Sequence, residues 1–394
     1  MLHDRRQNRG FRATSMNRKV VYGLAAPLLA AAVAVVVSSV ALLIAGDSPI
    51  TAFREMWSSI DGTQPIVAII NRAVPYYVAG VAVAVGFKMR LFNIGVDGQH
   101  QLAALFAAAF GFGIASWKLP APLYVAAIFL MAVLVSMIWA AIPAVLKVTR
   151  NVNEVIATIM LNFIASQLGI YLLRNHWNRG TGQVNETGLL PKGARIPHLN
   201  RLLEAVGFHF PGNTVLQGFL PFAIVVGVAY HVLLNRSRFG FDLRVSGENP
   251  SAAKAAGIDP KRMVIITFLI SGAVGALIGL APLLADPQFG KYGDQFPQGF
   301  GFAGLSLALL GRNHPVGIVG AALVWATIER ATQRLSFVDI PQEIGIILQG
   351  SFLLAAVIAF EVVRRKAEDA ETRAMSRQHP IATHAVAEPV GSAP

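Results

Sequence analysis

Apolar runs of about twenty residues recur along the chain between short polar segments, the pattern of helices that cross a lipid bilayer. Hydropathy predicts spans at 20–45, 66–87, 99–115, 121–148, 155–173, 217–234, 263–285, 299–311, 315–333 and 341–363. The segments 99–115 and 299–311 are short and interrupted by glycine, as half-helices or re-entrant segments are. One polar island, 236–262, breaks the pattern with two matching helix starts, Asn249-Pro250 and Asp259-Pro260. Asn249 is placed to cap a short Ala-rich helix beginning at Pro250, and Gly257 to close it in the left-handed conformation. A rigid, Ala-faced helix on a basic loop between spans has little purpose unless another protein docks on it.

Composition agrees with the pattern: of 394 residues, 54% are hydrophobic and only 14% charged, too few charges to coat a soluble surface. The fold class expected is an all-α polytopic membrane protein of about ten spans, some short or broken. The net charge of +12 does not mark a nucleic-acid binder, because the basic residues flank the apolar runs and form no contiguous face. The chain has no cysteine, hence no disulfide or thiolate metal site, and its nine histidines lack metal-ligand spacing.

Six basic residues, Arg5 to Lys19, form a basic tail over 1–19. The apolar run from Val20 to Ala45 is too long for a cleavable signal and reads as a first span, followed by an outer loop to residue 65. Lysines and arginines then distribute so that both termini and the 236–262 loop lie on the cytoplasmic side, with the long loop 174–216 outside. Residues 66–363 form the main membrane domain, and 364–394, polar and aperiodic, read as a disordered cytoplasmic tail.

Two stretches repeat a theme. Asn93-Ile94-Gly95-Val96-Asp97-Gly98 and Gly299-Phe300-Gly301-Phe302-Ala303-Gly304 each place glycines three apart before a short apolar helix. The likeness suggests an internal duplication of 66–173 and 263–363, although small residues recur by packing alone in Ala-rich membrane sequences. Asn93, Asp97, Gln99, His100 and Gln101 are costly at the mouth of a span unless they face water, substrate or one another. Asp97 has a structural reading, neutralising Lys88 or Arg90 at the interface and capping the next helix, beside one of substrate contact. Thr158 and Asn162, one turn apart, share a helix face and serve as interhelical glue or pathway lining. Asn71 and Arg72 sit near the outer end of a span, placed to snorkel to the surface or to line an entrance.

Phe92–Gln99, Asn153–Asn162, Gly247–Ile258 and Gly304–Pro315 together resemble the permease subunits of bacterial ATP-binding-cassette importers of the branched-chain amino acid and simple sugar class. The likeness covers residues 66–360 and lies nearest the nucleoside permeases that work with a basic-membrane-protein type lipoprotein. It implies ATPase subunits in the cytoplasm, a second permease copy or a paralogous permease, and an extracytoplasmic substrate-binding lipoprotein, in the bacterial cytoplasmic membrane. It further implies that Gly247, Glu248, Asn249, Pro250, Ala252, Ala253, Ala256 and Gly257 form the coupling helix that inserts into the ATPase. The region of Asn93 and Asn162 resembles the translocation pathway, for which the candidate residues are Asn71, Phe92, Asn93, Asp97, Gln99, Thr158 and Asn162. Position 97 departs from the pattern, being Asp where the family often has Glu.

The chain lacks a Gly-x4-Gly-Lys-[Ser/Thr] phosphate loop, so ATP and Mg are expected on the partner ATPase and no cofactor on this chain. An ion-coupled secondary carrier is the competing class. Asp97, Glu154, Asp286, Asp294 and Glu329 all fall near expected span ends, which leaves the midplane without a coupling group. No acid–base, nucleophile or metal constellation points to a membrane enzyme. A nucleoside calls for aromatic surfaces and amides, for which Phe92, Tyr76, Tyr77 and Trp139 beside the asparagines are candidates. Ribose or another simple sugar is the runner-up, and branched-chain amino acids are third because no pathway charge pair is evident.

Overall fold

The computed structural model describes residues 29–362 except 182–183, 208, 213, 342, 357 and 360–361. The expected basic tail over 1–19, the start of the first span and the tail over 364–394 lie outside the described residues. The chain divides into two compact units, Ala45–Gly345 and one made of the residues before and after it. In the second, α1 (Leu29–Ala45) buries a stripe four residues apart: Ala30, Ala34, Ser38 and Leu42. Among the described residues the other helix of that unit is α14 (Ile344–Ala356), whose first two residues are counted with the larger one.

The larger unit runs through α2 (Pro49–Ser58), α3 (Thr63–Phe87), α4 (Val96–Gly113), α5 (Ala121–Arg150), α6 (Glu154–Leu172) and the short α7 (Asn200–Glu204). It continues through α8 (Leu220–Asn235), α9 (Arg238–Glu248), α10 (Pro250–Ala255), α11 (Pro260–Ala285), α12 (Phe300–Leu310) and α13 (Pro315–Thr332). Among the described residues the only pairing of extended backbone is a single antiparallel bridge, Glu186 to Gly293, where two loops meet.

Among the described residues helices overlap the segments that the hydropathy pattern marked, but ten spans are not shown. Five of the described helices are long and apolar enough to cross a membrane, or six if α8 and α9, bent by 67° at their junction, count as one span. The segment expected to be a half-helix at 99–115 is instead a full-length candidate, because a 3-10 turn extends α4 to Trp117 and gives 22 residues. Its counterpart α12 is short as expected, with 11 residues, about 16 Å of helix.

Burial orders these helices. In α3, α4 and α11 more than half of the apolar stretch is buried, against 22% in α5 and α6. The first three form the centre, with α3 against α8, α11, α12 and α13, and the last two present Leu134, Ile138, Met160 and Phe163 outward. Lipid supplies no hydrophobic drive between helices, so close packing holds them together. At the α5–α11 crossing, a Cβ on Gly272 would lie 2.6 Å from that of Ala140, and the Ser136 hydroxyl donates to the Gly272 carbonyl at 2.5 Å.

The helix starts read at Asn249-Pro250 and Asp259-Pro260 are formed, and Asn153 adds a third cap that the sequence reading did not name. Asn153 caps α6 through the amides of Val155 and Ile156, Asn249 caps α10 through Ala252, and Asp259 caps α11 through Lys261 and Arg262. Gly257 closes α10 at φ +80°.

Gly272→Val should overpack the α5–α11 crossing and cost about 1–3 kcal/mol, seen as a lower thermal midpoint of the purified protein in detergent. Gly320→Ala, a position with open space around it, should leave that midpoint unchanged. Equal midpoints for both variants would remove the close crossing as a determinant of stability.

Candidate functional site

Two helices begin inside the bundle. Gly299 adopts φ +82°, a left-handed turn that suits glycine, and α12 starts at the next residue. There the Phe300 ring meets Tyr76 edge-on at 5.0 Å, so α12 starts beside the middle of α3, about 20 Å from that helix's first turn. It then runs along α3, with Gly304 against the backbone of Ala79 and Leu307 near Gly80. The chain leaving α3 folds back so that α4 also begins at depth, its first turn reaching the start of α12.

One carboxylate joins these starts. Asp97, in the first turn of α4, accepts the Gly299 and Gly301 amides of α12 at 3.1 and 3.2 Å through Oδ1. The same oxygen meets His100 Nε2 at 3.1 Å, and Oδ2 accepts from Gln101 Nε2 at 3.1 Å. A helix start leaves amides unpaired and carries partial positive charge, so a carboxylate facing two of them is held by both. A Cβ at Gly301 would fall 2.5 Å from the Asp97 nitrogen, which is why the approach needs glycine.

The sequence reading set Asp97 at the membrane interface beside Lys88 or Arg90 and left the midplane free of charge. The structure corrects the first point: Asp97 bonds His100, Gln101 and the start of α12, because the 88–95 segment folds back into the bundle. That re-entry is stitched down by side-chain amides. Asn93 and Gln99 exchange hydrogen bonds at 3.2 and 3.3 Å. Asn93 also donates to Ser271 at 2.9 Å, and Ser271 to the Ala82 carbonyl at 2.7 Å. Asn162 donates to the Ile94 carbonyl at 3.0 Å and accepts the Gly98 amide at 2.9 Å. Thr158 on the same face of α6 bonds its own helix, to the Glu154 carbonyl at 2.7 Å.

Above this node opens a cavity of about 700 Å³. Its walls are Gln64, Ala68, Asn71, Arg72 and Pro75 of α3, with Pro282 and Asp286 at the end of α11. Gln217 and Arg330 reach in from the sides, and Pro297 and Phe300 close it below. From Gln64 to Pro75 it descends about 16 Å along α3. Arg72 is ion-paired to Glu329 on α13, Asn71 donates to the Val215 carbonyl at 2.7 Å, and Gln217 donates to Asp286 at 3.0 Å. Near this floor, burial pushes the Tyr292 phenol up to about 12, with Asp97 and Asp294 adding to the shift.

Of the candidate pathway residues, Asn71 lines this cavity. Asn93, Asp97, Gln99, Thr158 and Asn162 are buried in the hydrogen-bonded layer beneath it, and half-exposed Phe92 packs on Phe87 at 5.1 Å. The cavity wall also carries the charged groups Arg72, Asp286 and Arg330. Arg72 was legible as an entrance residue, but no local pattern marks Asp286 or Arg330, and the partner of Arg72, Glu329, stands 257 positions away.

At the other end of the bundle, Glu248, Asn249, Pro250, Ala252 and Ala256 are exposed, while Ala253 is fully buried and Gly247 packs against the backbone of Met89. The outward face of α10 is therefore Ala252 and Ala256 without Ala253. Lys88, close to Arg244 of α9, has its pKa lowered by burial and by that arginine.

Residues 65–357 match the protein family described as branched-chain amino acid transport system / permease component. The glucose ABC transporter permease protein of Haloferax volcanii is 33% identical over 303 residues, 77% of this chain and 78% of that one. The guanosine ABC transporter permease protein of Bacillus subtilis is 31% identical, with 85% and 91% covered, and a nucleoside ABC transporter permease protein of Lactococcus lactis is 25% identical, with 87% and 93% covered.

Asp97→Ala should leave the Gly299 and Gly301 amides and Gln101 without their acceptor, at about 1–3 kcal/mol for each buried unsatisfied group. The expected result is loss of most folded protein on size-exclusion chromatography, with Asp97→Asn intermediate. A wild-type thermal midpoint for Asp97→Ala would show that the carboxylate does not hold the two helix starts.

Proposed function

The chain belongs to the branched-chain amino acid transport system / permease component family, and from that premise we propose that it is the membrane subunit of an ATP-driven importer carrying nucleosides inward. The cavity above Phe300 carries this reading. Its volume suits a small molecule, for which sites run about 300–1,000 Å³. Phe300 and Phe289 offer aromatic faces for a base, and Gln64, Asn71, Gln217 and Gln288 offer amides for the hydroxyls of a sugar. Relatives named for guanosine and nucleosides, alike over most of their length, support the same substrate class. A simple sugar is the second reading, favoured by the relative named for glucose and by the polar rim of the cavity.

In this reading the cavity faces outward, where a substrate-binding lipoprotein delivers its cargo, and both termini and α10 face the cytoplasm. The ten expected helices complete the membrane domain, with α12 as a half-helix that starts at the cavity floor. A second permease, the same chain or a paralogue, stands beside this one over a pair of ATPases.

Coupling follows from how α10 is seated. It is too short to stand alone and is held between α9 and α11 by the Asn249 and Asp259 caps, with Ala253 as its inward anchor. Gly247 presses on Met89 at the end of α3, and Thr267 of α11 bonds the Met89 sulfur at 3.3 Å. A push on the exposed face of α10 by closing ATPases therefore reaches α3 and α11. Both helices line the cavity at their far ends, so a rigid shift of the two changes its access.

Cells expressing this chain with its ATPase and binding protein should take up radiolabelled guanosine in competition with other nucleosides, and lose uptake when the ATPase is inactivated. Ala252→Glu with Ala256→Glu should abolish uptake and ATPase co-purification while the permease stays in the membrane. Glucose uptake in place of guanosine would transfer the assignment to the second reading. Uptake independent of the ATPase would overturn the importer.

A further inference from the structure

The end of α5 and the beginning of α11 enclose a second charged cleft, of about 620 Å³, remote from the cavity above Phe300. Its polar wall is Lys147, Arg150, Asn151 and Lys261. Asn151, at φ 51°, terminates α5 in the left-handed conformation and turns the chain away, leaving the last turn of α5 facing the first of α11. Lys147 is neutralised by Glu154 at 2.9 Å. Arg150 and Lys261 are exposed and have no acidic partner among the described residues. Asp259, beside Pro260 of the cleft wall, accepts the Lys261 and Arg262 amides, and Arg262 adds a further cation. Among the described residues the cleft keeps a positive surplus with no acidic partner.

What adjoins it is apolar. Val148 and Val264 belong to the cleft wall, and Leu146 and Ile142, four and eight residues before Arg150, stand exposed along the Arg150 side of α5. A cationic mouth opening directly onto an exposed apolar helix face has the shape of a phospholipid, phosphate at the mouth and acyl chain along the helix. An acidic protein surface would use the cations and have no use for the apolar extension.

We propose that this cleft is a binding site for an anionic phospholipid, with Arg150 and Lys261 holding the headgroup phosphate and α5 the acyl chain. Arginine offers a bidentate fork to phosphate and lysine a compact charge, so the pair reads the anion from two sides. The site stands on the membrane reading of the chain and is independent of which substrate the importer carries.

The test is lipid retention. The full chain in complex with its ATPase is reconstituted in nanodiscs of phosphatidylcholine and phosphatidylglycerol, re-extracted in mild detergent, and the phosphatidylglycerol carried per chain measured by mass spectrometry. Arg150→Gln with Lys261→Gln should weaken retention about thirty-fold, the effect of two basic side chains at a membrane surface. The charge-keeping pair Arg150→Lys with Lys261→Arg should retain most of it, which separates charge from folding. Arg236→Gln with Arg238→Gln, at another basic loop, should change nothing. Equal retention in the wild type and the double glutamine variant overturns the site. Displacement of the lipid by millimolar inorganic phosphate would assign the cleft to the free ion, and loss of ATPase co-purification with unchanged lipid would assign it to a protein contact. Either result overturns the lipid.

Discussion

The carboxylate of Asp97 holds the starts of two helices inside a membrane domain. Within lipid a backbone amide has no water to turn to, so a helix that begins in the interior must find acceptors in the protein. Here α4 and α12 begin near each other, and Asp97 answers the amides of Gly299 and Gly301 while lying in the first turn of α4. Its own charge is met by both helix starts, His100 and Gln101. Several local choices follow from this junction: glycine at 299 for the left-handed turn, glycine at 301 for the close approach, and amide side chains at 93, 99 and 162 to hold the re-entrant segment.

The junction also sets where the cavity stops. Because α12 starts beside the middle of α3, the space beyond it, along Gln64 to Pro75, is left without a helix to fill it, and Phe300 becomes its floor. The same long helices carry the consequence to the opposite end, where Met89 and Thr267 meet the α9–α10 segment. The two ends of the domain share α3 and α11, with the short α12 between them, which is the arrangement on which the proposed coupling rests. This physical arrangement agrees with membership of a permease family and underlies the proposed import of nucleosides.

Much of this was legible in the sequence, and the reasons are local. The caps at Asn249 and Asp259, the left-handed Gly257 and the shortness of α12 each depend on a few adjacent residues whose chemistry is the same in any fold. The polar cluster from Asn93 to Gln101 was legible as a cost that required partners. Its depth was not, since hydropathy counts residues from the end of α3 and cannot show that the chain turns back between Lys88 and Gly95. The cavity was legible only at Asn71 and at Arg72 as an entrance candidate. Its other walls come from 214–217, 282–289, 297–300 and 330, brought together by packing between helices that share no sequence pattern. Likewise the inward side of α10 at Ala253 depends on how α9 and α11 clasp it.

The central claim is that substrate enters along α3 into a cavity that ends at Phe300, and the absence of cysteine from this chain makes it directly testable. A single cysteine at Ala68, in the cavity wall, would be probed in intact cells with a membrane-impermeant thiol reagent added from outside. The account predicts rapid labelling that slows when nucleoside and its binding protein are supplied, and no labelling of a cysteine at Ala79, which lies beneath the floor. Labelling at Ala68 only from the cytoplasmic side, or at a rate indifferent to substrate, would contradict it.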